Sequence, residues 1–261
     1  MPGYRLRAAC ALAVLLSFAL GAPARAQDFD AALYAELLLR HTREVADTAG
    51  TRVDYPGIAA SADWRRLLAQ LDASDPSSLR SRQEKLAFWI NAYNVLAIDL
   101  VARHPEVASI RGIGSLLRPV WKREAGRVGG KPINLDEIEH GILRKLGEPR
   151  IHAAIVCASV SCPSLRREPW EAARLDAQLD DSVRRFLANP AKGSRLDRAD
   201  GVLWLSRIFD WFEGDFEPEG VLAFVSRHLP ESDRAFLQAR RPRIRYLDYD
   251  WRVNALIPPP A

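Results

Sequence analysis

The amino-acid sequence predicts an α+β protein: a single domain with a small central β-sheet packed against several helices. Apolar residues recur at helical spacing through the first half of the chain, whereas stretches that read as strands are few and scattered. One long segment, a mostly buried helix at about 82–103, is apolar on nearly every side. Separate runs of helices and strands favour α+β over an alternating α/β fold.

The first 26 residues have the pattern of a signal peptide. Arg5 and Arg7 precede a short apolar run, and an Ala-Arg-Ala sequence stands before Gln27. We expect cleavage after Ala26, export to the periplasm or the medium, and one domain over 27–261. No later apolar run has membrane length, so no transmembrane anchor is expected after cleavage.

The charge balance argues against nucleic acid as a partner. The predicted signal peptide holds three of the 37 basic residues, which leaves 34 against 33 acidic residues in the mature chain. A nucleic-acid footprint needs clustered excess basic charge. The sequence names no metal and no organic cofactor, and it leaves the oligomeric state open.

The first half begins with two helices and then the buried one. Helical spacing predicts helices at 30–45 and 62–73, with an extended piece broken by Pro56 between them. Ser81 and Glu84 form a capping box that starts the long helix.

The middle of the chain predicts a hairpin, a third helix and a strand. Gly129 and Gly130 mark the hairpin turn, and Asn134 begins a helix that stops at Gly147. Residues 150–158 are small or β-branched on both alternating faces, which is typical of a central buried strand. The last third predicts a helix at 175–188, a strand at 202–206, a helical "RIFDWFEGDF", a helix in "GVLAFVSRHL" and a closing strand "IRYLDYDW".

Two amides interrupt the apolar surface of the long helix. Asn91 and Asn94 lie three residues apart, on neighbouring positions of one face. Burying an amide without a hydrogen-bond partner costs roughly 1–3 kcal/mol, so both amides need partners. We expect them to line a polar site built around Cys162 and His140.

The mature chain keeps two cysteines in a C-x4-C arrangement. Cys157, on the predicted strand, is typical of a small core hydrophobe. Cys162 precedes Pro163, a residue favoured at the first position of a helix, where free N–H groups stabilise a thiolate. The pair could equally form a disulfide if the loop folds back. The spacing matches neither the C-x-x-C redox motif nor a common zinc site.

A nucleophilic thiol also needs a base and a group that orients the base. His140 lies on the third predicted helix, with Asp136 and Glu137 on the same face. His152 is a second candidate, although its position on the predicted strand points it away from the face of Cys157.

Several motifs together resemble the domain of unknown function 547 family. They are "VDY", "AFWINAYN", "LDEIEHGILR", "IHAAIVCASVSCPSLR", "LSRIFDWFEGDF" and "YDWRVN", in order from about residue 53 to 254. The resemblance implies no activity, since the family is named for lacking one; its members include exported bacterial proteins and zipper-linked plant proteins. The positions that match its motifs are Trp89, Asn91, Tyr93, Asn94, Glu139, His140, Gly141, Cys157, Cys162, Pro163, Asp210, Trp211, Asp215 and Phe216.

The first functional hypothesis is a cysteine-nucleophile hydrolase or acyltransferase acting on an amide or ester. Cys162 would attack the carbonyl, His140 would take and return the proton, and Glu139 or Asp136 would orient the imidazole. Asn91 would donate to the oxyanion, a role worth roughly 3–4 kcal/mol. Asn94, Trp89, Tyr93 and Asp215 are the expected substrate-binding residues.

The second hypothesis is a non-catalytic exported binding module for a small molecule or peptide. In it a Cys157–Cys162 disulfide pins the loop, and the buried amides and His140 form a satisfied network. A third reading, thiol–disulfide exchange, suits an oxidising compartment, but the C-x4-C spacing argues against it.

Overall fold

The computed structural model describes residues 29–115 and 118–256, so the predicted signal peptide lies outside the described residues. The fold is α+β, as the sequence predicts. The α-helices are α1 Ala31–His41, α2 Tyr55–Ala60, α3 Ala62–Ala73, α4 Arg82–Ala102, α5 Leu175–Leu187, α6 Ile208–Trp211, α7 Val221–His228 and α8 Glu231–Arg240. The strands are β1 Thr42–Glu44, β2 Thr51–Val53, β3 Glu124–Val128, β4 Lys131–Asn134, β5 Ser194–Asp197, β6 Val202–Leu205 and β7 Arg243–Tyr246.

Helix α4 is the centre of the larger hydrophobic core. The predicted capping box starts it: the Glu84 N–H donates to the Ser81 hydroxyl, and the Ser81 N–H donates to the Glu84 carboxylate. The helix is long and apolar enough to cross a membrane, but 83% of its most apolar stretch is buried inside the protein. It packs against α2, β3 and a π-helical turn at Glu137–Leu143, as a core helix does.

The strands form three small sheets in the described part of the chain rather than one central sheet. β1 pairs with β2, and β3 pairs with β4 around Gly129 and Gly130, whose positive φ values of 61° and 75° confirm the predicted turn. In the third sheet β6 lies between an antiparallel β5 and a parallel β7. This sheet and α5 and α7 enclose a second, smaller core.

The predicted strand at 150–158 is wrong. Pro149–Ala153 is a 3-10 helix, and the chain then runs irregularly to the cysteines. Its backbone groups find partners without a sheet: the Ile155 N–H donates to the Ile151 carbonyl, and the Val156 N–H donates to the side chain of Asn94. Apolar residues on both faces therefore reflect burial in the core here, not a strand.

Other differences are local. Asp54 caps α2 where an extended piece was expected, because Pro56 is tolerated in the first turn of a helix. The third predicted helix is π-helical over most of its length and ends, as predicted, at a left-handed Gly147. The helix predicted at 30–45 ends at His41, and β1 takes the place of its last residues. Strand β5 and helix α8 were not predicted from the sequence.

The C-terminal segment ties the fold together beside the cysteines. It forms isolated β-bridges from Val253 to Ser159, from Arg252 to Ser109 and from Ala255 to Val53. The predicted strand there ends early, at Tyr246, and the chain beyond it crosses the loop between the two cysteines.

Candidate functional site

A cavity of about 290 Å³ lies among the π-helical turn, the cysteine loop and the C-terminal segment. Its polar lining includes two sulfurs, two imidazoles, two carboxyl groups and the hydroxyls of two tyrosines, and aromatic rings form much of the rest. We call it the cysteine pocket. Four residues predicted for the site line it: Cys162, His140, Glu139 and Tyr93.

A disulfide joins Cys157 and Cys162 in this pocket, with their Cα atoms 6.2 Å apart. In this oxidised state Cys162 has no thiolate, so the nucleophilic role predicted for it requires reduction of the pair. The two sulfurs differ in access: Cys162 is only 3% exposed, whereas Cys157 is partly exposed.

The sulfur of Cys162 lies among hydrogen-bond donors. The Cys157 N–H is 3.0 Å from it, and the Tyr249 hydroxyl donates to it over 3.2 Å. Burial raises the pKa of Tyr249, so its phenol stays protonated as a donor. Donors of this kind stabilise negative charge on a sulfur.

The loop between the cysteines turns sharply at Ala158, whose φ of 61° is unusual for a residue other than glycine. The Asn254 N–H donates to the Ala158 carbonyl, and the buried ammonium of Lys192 donates to the Cys162 carbonyl over 2.7 Å. Strained backbone of this kind is commonly found where the surrounding structure holds a functional side chain in place.

The two buried amides are clamps on the backbone and do not line the cysteine pocket. Asn94 accepts from the Val156 N–H over 2.8 Å and donates to the Ala154 carbonyl over 3.0 Å. Asn91 makes the same pair of bonds with the backbone of Trp170. The predicted oxyanion role of Asn91 and substrate contact of Asn94 therefore do not fit this geometry. The oxygen and the nitrogen of each amide already bond to the backbone.

His140 is well placed beside the pocket but is oriented by other groups than expected. Arg144 donates to its Nδ1 over 2.7 Å, and its Nε2 lies 3.8 Å from Asp136. Glu139 makes no hydrogen bond with it; that carboxylate accepts from Tyr93 over 3.4 Å instead. Of the three predicted orienting groups, the structure places Asp136 beside the ring, whereas Glu139 bonds to Tyr93 and Glu137 accepts from the Asn134 N–H.

Burial raises the pKa of Glu139 to about 7, and repulsion from Asp136 and Asp215 adds to the shift. The hydrogen bond from Tyr93 and the charge of Arg144 oppose it without cancelling it. Glu139 is therefore a carboxyl group that gains and loses its proton near neutral pH, inside the cysteine pocket.

His152 and Asp215 form a buried pair, a contact that the sequence did not predict. His152 Nε2 lies 2.7 Å from the Asp215 carboxylate, and its ring stacks on Phe212 with centroids 4.1 Å apart. Arg144 binds the same carboxylate with two bonds of 2.6 Å. Burial lowers the pKa of His152, against the opposing effect of Asp215.

Asp215 was predicted to bind substrate, but the structure uses it to orient an imidazole. Burial opposes its ionisation, yet hydrogen bonds from His152 and Arg144 hold its pKa well below the usual range. His152 and Asp215 are 63 positions apart in the chain, so no short sequence motif could predict their contact. Trp89, the remaining predicted residue, is buried against Phe88 and does not line the pocket.

The comparisons with known proteins give one family match and no activity. A family model described as protein of unknown function, DUF547, matches residues 76–187. This range contains both cysteines and both pocket histidines, and it is narrower than the 53–254 of the sequence resemblance. Neither the curated proteins nor the solved structures contain a significant match to the chain.

We expect Asn94→Ala to lower the free energy of unfolding by about 2–5 kcal/mol, because it leaves a buried N–H and a buried carbonyl without partners. Urea unfolding measures the loss. Asn189→Ala is the control, because Asn189 also bonds one backbone N–H, that of Ala191, and one carbonyl, that of Thr48, but is partly exposed rather than buried. A loss below about 1 kcal/mol at Asn94 would contradict the clamp.

The raised pKa of Glu139 makes stability depend on pH. The folded protein keeps this proton up to about pH 7, whereas the unfolded chain releases it near the usual value of 4.5, so stability falls as pH rises between these values. We expect Glu139→Gln to remove about 3 kcal/mol of that fall, measured by urea unfolding at pH 4.5 and pH 7. Glu137→Gln, at an exposed capping position, should leave the fall unchanged.

Proposed function

Starting from the match of residues 76–187 to the family model of unknown function DUF547, we propose that this protein carries out thiol–disulfide exchange at Cys157–Cys162. One observation carries the proposal: the disulfide lines an open pocket, and its two sulfurs have unequal surroundings. Cys157 is partly exposed, and its sulfur lies 3.2 Å from the Ser159 hydroxyl and 3.4 Å from the Tyr249 hydroxyl. Cys162 is buried, and its sulfur accepts from the Cys157 N–H as well as from the Tyr249 hydroxyl, which is closer to it at 3.2 Å. An oxidising compartment, expected from the predicted signal peptide, suits this chemistry.

The exchange proceeds in two steps. A substrate thiolate attacks Cys157 Sγ, the bond to Cys162 breaks, and Cys162 leaves as a thiolate while the substrate is held to Cys157 in a mixed disulfide. A second thiolate of the substrate then attacks the substrate sulfur of the mixed disulfide. This breaks the bond to Cys157, which leaves as a thiolate. The substrate dithiol is oxidised to a disulfide, and the protein disulfide is reduced to two thiols. The reverse sequence reduces a substrate disulfide.

The surroundings of Cys162 favour this direction of cleavage. A thiol with a lower pKa leaves faster, and the Cys157 N–H and the Tyr249 hydroxyl both stabilise the departing thiolate. Attack on Cys157 rather than Cys162 follows from access, because only Cys157 is partly exposed.

Glu139 supplies a proton acceptor in the same pocket. With a pKa of about 7, its carboxylate takes the proton that an attacking thiol must lose, and the resulting acid returns a proton to a product thiolate. A general acid–base group works best when its pKa lies near the operating pH.

The C-x4-C spacing does not prevent the exchange. A shorter C-x-x-C pair usually spans the start of one helix, whereas here the left-handed turn at Ala158 brings the chain back on itself. The Cα atoms are then 6.2 Å apart, an ordinary distance for a disulfide. The objection from spacing is therefore weaker than the sequence alone implies.

A second candidate function, acyl transfer or hydrolysis with Cys162 as nucleophile, applies to the reduced protein. The His152–Asp215 pair favours it, since it has the form of a base and its orienting carboxylate. We assign the base role to His152 rather than His140, because His140 Nδ1 already accepts from Arg144. Loss of ester hydrolysis in His152→Ala, with exchange retained, would favour this function.

Trapping the mixed disulfide tests the exchange. We expect Cys157 in a Cys162→Ser variant to form a mixed disulfide with oxidised glutathione at least about tenfold faster than Cys162 in Cys157→Ser, because the second thiol is buried. Mass spectrometry at timed intervals measures both rates.

The wild-type protein provides the opposite test. Dithiothreitol should reduce the native disulfide without denaturant, and the reduced protein should then reduce oxidised glutathione. A disulfide that dithiothreitol leaves intact until the protein unfolds would show a structural bridge, and the non-catalytic binding module would take the place of exchange.

A further inference from the structure

Four aromatic rings form one side of the cysteine pocket. Tyr249, Trp251 and Trp211 are mutual neighbours with centroids 4.5–5.5 Å apart, and the Trp121 ring lies 6.4 Å from Trp251. Trp211 is 45% exposed, an unusual state for so large an apolar side chain. We call these four rings the aromatic wall.

The wall joins the cysteine pocket to a second cavity of about 760 Å³. Trp121 and Trp251 line both cavities, so the two spaces share one side. An extended polypeptide advances about 3.3 Å per residue, so the 6.4 Å between the Trp251 and Trp121 rings corresponds to about two residues. A ligand that spans both cavities is therefore longer than one amino acid.

The second cavity carries a basic side chain. Arg111 lines it, and its guanidinium lies over the Trp251 ring, 5.1 Å from the centroid. Within residues 29–115 and 118–256, the exposed side chain of Arg111 makes no ion pair or hydrogen bond, whereas its backbone N–H donates to the Ser109 hydroxyl. A guanidinium held on a ring with its N–H groups free is suited to binding a carboxylate.

We propose that the substrate is a cysteine-containing polypeptide segment with an apolar or aromatic residue near its cysteine and an acidic residue further along. The cysteine enters the pocket, the apolar side chain stacks on the aromatic wall, and the carboxylate pairs with Arg111. The proposal rests on the proposed exchange, which requires a substrate that carries a thiol or a disulfide. It adds the chemistry that selects among such substrates.

Binding of unreactive peptides tests the selection separately from the chemistry. The probes are a capped tetrapeptide of serine, phenylalanine, alanine and glutamate, and the same peptide with glutamine in the last position. Serine replaces cysteine, so neither peptide exchanges. We expect the glutamate peptide to bind about tenfold tighter, measured by quenching of tryptophan fluorescence.

Arg111→Gln should abolish the preference for glutamate. Arg195→Gln is the matched control, because Arg195 also lies over a tryptophan, 5.4 Å from the Trp204 ring, and belongs to the third sheet. This control should keep the preference. Equal affinity for the two peptides, or a preference that survives Arg111→Gln, overturns the proposal.

Reduction by dithiothreitol reports on the exchange independently. If dithiothreitol reduces the native disulfide but the peptides bind equally, the selection fails and the exchange remains. If the glutamate preference depends on Arg111 but the disulfide resists reduction, the exchange fails, and with it the claim that the bound segment is a substrate.

Discussion

The site depends on the contact between a buried helix and the chain that leads to the cysteines. Asn94, in the middle of α4, bonds both the carbonyl of Ala154 and the N–H of Val156. This segment has no strand partner, so the side-chain amide does what a neighbouring strand would do in a sheet. It fixes the approach to Cys157 from one side, while the C-terminal segment fixes the loop after it from the other.

Because the cysteine loop is held from these two sides, the two sulfurs have unequal surroundings. The loop can reverse at Ala158 because Asn254 and Ser159 hold its backbone to the C-terminal segment. The same crossing brings Tyr249 to the sulfur of Cys162 and Trp251 to the mouth of the pocket. One run of chain therefore supplies the donor for the leaving thiolate and the ring surface beside it.

Sequence patterns predicted what local chemistry determines. The capping box of α4, its burial, the glycine turn and the stop at Gly147 all depend on residues close together in the chain. The sequence also predicted that Asn91 and Asn94 need hydrogen-bond partners. It could not predict that these partners are backbone groups rather than a ligand. The His152–Asp215 pair and the Tyr249 contact join residues 63 and 87 positions apart, and only tertiary structure forms them.

The most direct measurement is the rate at which dithiothreitol reduces the native disulfide in wild-type protein and in Tyr249→Phe. The substitution keeps the ring and removes only the hydroxyl that donates to Cys162. Because the departing thiolate loses a donor, we predict reduction several-fold slower than in wild type. Tyr246→Phe, on β7, should not change the rate. An unchanged or faster rate in Tyr249→Phe would contradict the account.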